Sequence, residues 1–231
     1  MGSGALPQGA QLTPIRHPSP NFGPRRNGAR PDLVVLHYTA MQSATAARDW
    51  LCTPDAQVSA HYLIAPCGTV WQLVDEEMRA WHAGAGAWGP TTDVNSRSIG
   101  IEIANCGASP FAARQMTALE DLLRSILSRH AIPPERVIGH SDMAPGRKID
   151  PGPRFDWRRL ARRGLSIWPD TAEPGDFARD ARRFGYPPDA APDRVLHSFR
   201  LRFRPQADGP LDDTDRSLMA DLVARWPAAL S

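Results

Sequence analysis

Cysteine is scarce in this chain and poorly spaced for chemistry. Cys52, Cys67 and Cys106 are the three in 231 residues. An odd number with no C-x-x-C pair argues against a disulfide framework and against a thiolate metal site. They are read as small, mostly buried residues. Long apolar runs are missing as well, and no stretch reaches the length needed to span a bilayer. The first ten residues, M-G-S-G-A-L-P-Q-G-A, have neither the basic start nor the apolar segment of a secretory signal. A soluble, cytoplasmic protein is expected, with the periplasm as the alternative if a leader has been removed. Excess charge is lacking too. The net charge is +2 and the 27 basic residues are mostly scattered, so neither nucleic acid nor an anionic membrane is an expected partner. No H-E-x-x-H occurs, so a general zinc peptidase has no motif of its own here.

What the chain does have is material for a core. Hydrophobic residues make up 42%, and the length suits one large domain, alone or with a small appendage. Residues 1–31 are rich in Pro, Gly, Asn and Arg and have no period, which predicts an extended lead-in wrapping the domain, with His17 solvated. Residues 32–38, D-L-V-V-L-H-Y, are apolar on both faces, as in a central strand covered on both sides. A short helix is expected over 39–51 and a hairpin over 59–74, around the Pro66-Cys67-Gly68 turn. Residues 98–104, S-I-G-I-E-I-A, alternate cleanly. A helical stripe of Met116, Leu119, Leu122, Leu123, Ile126 and Leu127 ends before Pro133 and Pro134. Interleaved strands and helices to about residue 168 predict an α/β fold, a mixed central sheet flanked by helices. Residues 169–175, P-D-T-A-E-P-G, form a linker by composition. Beyond it, three short amphipathic segments predict a small three-helix unit. Its core is marginal, so it is expected to pack on the main domain.

Four places carry chemistry. His37 ends the central strand, where a side chain leaves the core and enters a cleft. Residues 137–153, V-I-G-H-S-D-M-A-P-G-R-K-I-D-P-G-P, bring His140, Lys148 and Asp150 into eleven residues of strand end and rigid loop. A lysine two residues before an aspartate in extended chain points to the same side. Together with a histidine this suggests a metal site with an electrophilic helper, the alternative being a surface salt bridge. Glu102 sits mid-strand among isoleucines. A carboxylate there is costly to bury alone, so it either pairs with Arg97 or Lys148 or faces a working cleft. Residues 80–89, A-W-H-A-G-A-G-A-W-G, form a loop of small residues and aromatics that a sugar-like ligand can approach closely, and His82 is expected to touch substrate. His61 is read as a structural residue behind the site, and His130 and His197 as incidental.

Six ordered motifs resemble one family. L-H-Y-T-A at 36–40, S-A-H-Y-L-I at 59–64, A-W-H-A-G at 80–84, S-I-G-I-E at 98–102, G-H-S-D at 139–142 and G-R-K-I-D-P-G at 146–152 look like the zinc-dependent N-acetylmuramoyl-L-alanine amidases of the amidase-2 type. That family includes AmpD and AmiD enzymes, phage amidases and animal peptidoglycan recognition proteins. The resemblance implies zinc on His37, His140 and Asp150, with Glu102 as catalytic carboxylate and Lys148 as oxyanion stabiliser. Arg147, within the last motif, and Asn105, three residues after Glu102, are expected to join His82 in touching substrate. Ala60 stands where phage-type relatives carry a tyrosine, which sorts the chain with the AmpD and AmiD branch.

The expected organisation is an N-terminal extension over 1–19, a zinc amidase domain over 20–168, and a helical, peptidoglycan-binding-like unit over 169–231. The last rests on F-R-L-R-F-R-P at 199–205 and on helix count. The implied activity is hydrolysis of the amide between the lactyl group of N-acetylmuramic acid, intact or 1,6-anhydro, and L-alanine of the stem peptide. This would serve cell-wall turnover or recycling, with peptidoglycan fragments as ligands and the protein a monomer. A non-catalytic peptidoglycan-binding module is the alternative, disfavoured because all three ligand positions and the base are present.

Overall fold

The computed structural model describes residues 13–228, and the start of the expected N-terminal extension, 1–12, lies outside them. In chain order the strands are β1 (Ile15–Arg16), β2 (Phe22–Pro24), β3 (Leu33–Tyr38), β4 (Tyr62–Ile64), β5 (Val70–Gln72), β6 (Met78–Ala80), β7 (Ser98–Ile103) and β8 (Val137–Gly139). The helices are α1 (Ala44–Leu51), α2 (Val94–Arg97), α3 (Ala113–His130), α4 (His140–Met143), α5 (Trp157–Arg162), α6 (Phe177–Phe184), α7 (Pro192–Phe203) and α8 (Asp213–Arg225).

Six strands form one mixed sheet in the order β1-β5-β4-β7-β3-β8. β3 pairs in parallel with both β7 and β8, and only β4 and β5 run antiparallel, as the expected hairpin. β3 is apolar throughout because both of its faces are covered. Val34 and Leu36 join Ile99, Ile101, Ile103 and the α3 stripe on one side. Leu33 and Val35 join Trp88, Ile138, Met143 and the apolar faces of α6, α7 and α8 on the other. The three C-terminal helices therefore complete a core that begins on the sheet. Among the described residues no helix is long and apolar enough to cross a membrane.

The lead-in wraps the domain as expected. β1 adds to β5, and β2 pairs antiparallel with β6. Between β2 and β3 the buried Arg25 donates to the carbonyls of Glu76 (2.7 Å), Ser96 (2.8 Å) and Ser98 (3.1 Å), fastening the lead-in beneath β7. His61 packs there as a structural residue. Its Nδ1 accepts from the Gly100 amide at 2.9 Å and its Nε2 faces the Met78 carbonyl at 3.1 Å.

One register matters most for function. His37 on β3 lies opposite Glu102 on β7, and paired residues on neighbouring strands project to the same face. That face also carries Ser98 and Gly100, while the isoleucines between them point into the core.

Candidate active site and metal centre

Three elements converge at the open end of the sheet. β3 delivers His37, the turn from β8 into α4 delivers His140, and the loop after α4 returns Asp150. The Asp150 carbonyl accepts the Ser141 amide at 2.9 Å, which ties the loop back against the start of α4. His37 Nδ1, His140 Nδ1 and Asp150 Oδ2 lie 2.9–3.0 Å from one another. All three residues are buried, and they are a group able to hold a metal ion.

The protonation of this cluster follows from its back partners. A carbonyl oxygen only accepts, so His140 Nε2, 2.8 Å from the Ala83 carbonyl, carries a hydrogen. Ser98 donates its hydroxyl hydrogen to the Val94 carbonyl at 2.6 Å, so its oxygen accepts from His82 Nε2 at 3.0 Å. His82 Nδ1 is then a lone pair, and it accepts from His37 Nε2 at 3.0 Å. Burial keeps the rings neutral: it brings His37 down to about 4 and holds His82 well below its ordinary value, with neighbouring imidazoles adding to both. Neutral His37 thus turns its Nδ1 lone pair toward His140 Nδ1 and the Asp150 carboxylate. Burial works to raise the Asp150 carboxyl, but its contacts with His140 and His37 hold it well below the usual carboxylate range. Two imidazole nitrogens and a carboxylate oxygen within 3.0 Å of one another fit a bound cation. Two imidazole nitrogens and one carboxylate oxygen are a donor set of catalytic zinc.

A cleft of about 520 Å³ opens beside the cluster, and its lining includes Trp81, His82, Glu102, Arg147 and Lys148. Glu102 Oε2 is buried with no hydrogen-bond partner. Arg97, one of the partners weighed from the sequence, is engaged with Asp32 at 3.1 Å instead. Glu102 therefore faces the cleft. Burial, helped by the Asp150 charge, pushes its carboxyl up to about 8, and the nearby Lys148 acts the other way. Lys148 is the only lysine in the chain.

The other expected contacts fall differently. His82 lines the cleft, but both ring nitrogens are taken by His37 and Ser98, so its hydrogen bonding faces backward, onto a candidate metal ligand. Arg147 also lines the cleft while one of its nitrogens donates to the Ala83 carbonyl at 2.8 Å and to that of Ala85. Asn105 lies outside the cleft lining. Its carbonyl accepts from the Gly107 amide at 2.7 Å and its amide nitrogen donates to the Ser109 carbonyl at 3.2 Å, so it shapes its own loop. Sequence reasoning did not find Ser98 or the Ala83 carbonyl. The alternation in S-I-G-I-E places Ser98 on the face of Glu102, which is the one signal available for it.

A model of the Amidase_2 family, N-acetylmuramoyl-L-alanine amidase, matches residues 27–153. The N-acetylmuramoyl-L-alanine amidase AmiD of Escherichia coli K12 is 36% identical, over 84% of this chain and 83% of AmiD. The 1,6-anhydro-N-acetylmuramyl-L-alanine amidase AmpD of Enterobacter cloacae is 33% identical, over 64% of this chain and 89% of AmpD. The solved structure of E. coli AmiD with anhydro-N-acetylmuramic acid-L-Ala-D-gamma-Glu-L-Lys superposes with a TM-score of 0.79 at 33% identity, covering 92% of this chain and 94% of that one. The match spans β3 to α4 and takes in His37, Glu102, His140, Lys148 and Asp150, and the chain belongs to the Amidase_2 family of N-acetylmuramoyl-L-alanine amidases.

Proposed function

We propose that His37, His140 and Asp150 hold zinc, and that this enzyme hydrolyses the amide between the lactyl group of an anhydro- or intact N-acetylmuramic acid and L-alanine of the stem peptide. The observation that carries the reading is the convergence of His37 Nδ1, His140 Nδ1 and the Asp150 carboxylate, with each imidazole held from behind through its Nε2. Zinc, when bound, polarises a carbonyl and lowers the pKa of a coordinated water toward ~7. The family's amidase activity, and the anhydromuramyl peptide bound by AmiD, support the choice of substrate.

The protein's own groups take the remaining roles. Glu102 faces the cleft beside the cluster with one oxygen unpartnered, and it takes the proton from the attacking water. A carboxyl that holds a proton near neutral pH can then return it to the leaving amine of L-alanine. Lys148 places a fixed positive charge on the cleft wall, where it stabilises the oxygen that becomes negative at the tetrahedral stage. Trp81, on the cleft wall, offers a flat apolar surface to a sugar.

The test is mass spectrometry of purified anhydro and intact muramyl peptides after incubation with the protein, with and without a chelator. Chelator-sensitive release of a peptide beginning with L-alanine is expected from the anhydro form. Release that persists in the metal-stripped protein would remove zinc from the reading. No release from either form with zinc bound would leave a binding module.

A further inference from the structure

Besides the shared apolar core, the helical unit joins the catalytic domain through a buried ion pair. Arg202, near the end of α7, has a side chain only 1% exposed, and it pairs with Asp142, whose side chain is fully buried. One Arg202 nitrogen donates to Asp142 Oδ2 at 2.8 Å, and the other donates to the Val137 carbonyl at 2.9 Å and to Ser166 Oγ at 3.3 Å. The guanidinium lies over the Trp157 ring, 4.4 Å from its centre, and 4.8 Å from that of Phe203. Tyr186, ahead of α7, donates its hydroxyl to the other oxygen, Asp142 Oδ1, at 2.9 Å.

What Asp142 holds gives this pair its meaning. Its Oδ2 also accepts the Gly139 amide at 2.8 Å, closing the turn from β8 into α4. His140 is the first residue of α4. Arg202 therefore grips both ends of the segment 137–142, the Val137 carbonyl at the strand and the Asp142 carboxylate in the helix. Between them stands His140, whose Nδ1 must meet His37 and Asp150. The helix is four residues long, too short to fix its own direction. A carboxylate held by a guanidinium, a phenol and an amide fixes it instead.

We propose that Arg202 is a positioning residue for the metal centre, so that the helical unit sets the aim of His140 through Asp142. This rests on the zinc reading given above. The other arginines of the same motif work inside the helical unit. Arg200 pairs with the buried Asp215 and donates to the Gly209 carbonyl at 2.7 Å, and Arg204 binds Asp212 and Asp215. The alternating F-R-L-R-F-R run is thus a set of internal anchors, and its middle arginine is the one directed at the active site.

Two variants of the full chain test this. Arg202→Lys keeps the charge opposite Asp142 but cannot span Asp142 and Val137 together. Arg202→Met with Asp142→Asn removes both charges, so no unpaired ion is left buried. Zinc affinity is read by competition with a chromogenic chelator, and folding by the urea midpoint. The parent is measured first, and a parent that binds no zinc would refute the zinc reading itself. With zinc bound by the parent, both variants are expected to fold, with the zinc Kd raised at least tenfold and kcat lowered. A Kd within twofold of the parent's in either folded variant would overturn the proposal, because the pair would then be mere packing. Recovery of the zinc Kd along with the midpoint in the double variant would do the same.

Discussion

Glu102 is placed to take a proton and to give it back, and its buried Oε2 has no hydrogen-bond partner. Glu102→Gln keeps the shape and removes the base. Turnover is expected to fall by ~10²–10⁴-fold, with stoichiometric zinc retained by metal analysis. Loss of zinc in that variant would make Glu102 a ligand. His82 gives the opposite pattern. Its Nδ1 accepts from His37 Nε2 and its Nε2 donates to Ser98, so His82→Ala leaves the ligands in place but frees the His37 ring to turn. Partners of this kind are worth ~10–100-fold in metal affinity, and a loss of that size is expected in chelator competition. An unchanged zinc Kd, with KM alone raised, would return His82 to the substrate-contact role read from the sequence. The sequence alone does not separate these two roles. A loop of Trp, Gly and His shows that a histidine is near a ligand, but not which way its nitrogens face.

At the scale of elements, the β7 strand shows what alternation can and cannot tell. The pattern S-I-G-I-E gave the core face and the site face, and both stand in the structure. It could not say why Gly100 is glycine. A Cβ built there would lie 2.4 Å from His82 Cγ, because the imidazole rests flat on the strand between Ser98 and Glu102. Gly100→Ala is therefore expected to destabilise the fold by about 1–3 kcal/mol and to push the His82 ring off His37. Urea denaturation reads the first effect and zinc competition the second. Normal values for both would mean the ring has room to move. The turn from β8 into α4 teaches the same lesson over a longer range. The run V-I-G-H-S-D marked His140 as a candidate ligand. Nothing local pointed to Arg202, sixty residues away, and the motif holding Arg202 was read only as a mark of a helical, peptidoglycan-binding-like unit. Local sequence records which side chains can do chemistry, whereas buried partners brought together by tertiary packing leave no periodic trace.

For the whole molecule, β3, the β4–β5 hairpin, β7 and α3 were legible because each carries a clean period or an apolar run, whereas β1, β2, β6, α2 and α4 are too short to show one, and the resemblance supplied the ligand set. The pooled core of the sheet and the C-terminal helices was only partly legible, as an expectation that so small a unit must lean on its neighbour. The folded state as a whole also fixes a pH response that no single element shows. In the metal-free protein, burial brings His61 to about 3 and His37 to about 4, and holds His82 well below its ordinary value. His61 shows why: its Nδ1 already accepts the Gly100 amide, so a proton there would meet a hydrogen. Below pH ~6.5 the unfolded chain takes up protons at these sites that the folded chain refuses, and stability falls as the solution is acidified. Glu102 has the opposite sign. Its folded value is raised to about 8, so the folded state keeps a proton that the unfolded chain releases from pH ~4.5 upward, and stability falls as pH rises toward 8. Between these limits three histidines outweigh one carboxyl, which puts the maximum near pH ~6.5. Urea denaturation of chelator-stripped protein from pH 4.5 to 9 is expected to trace that maximum. Glu102→Gln should leave the acid limb in place and flatten the alkaline one. Zinc, a positive charge beside the carboxyl, opposes the upward shift of Glu102, so the loaded parent should show a shallower alkaline limb than the stripped one. A stripped protein whose stability climbs steadily through pH 8 would mean that Glu102 is already ionised in the folded state without zinc, and the alkaline limb assigned to it would be withdrawn.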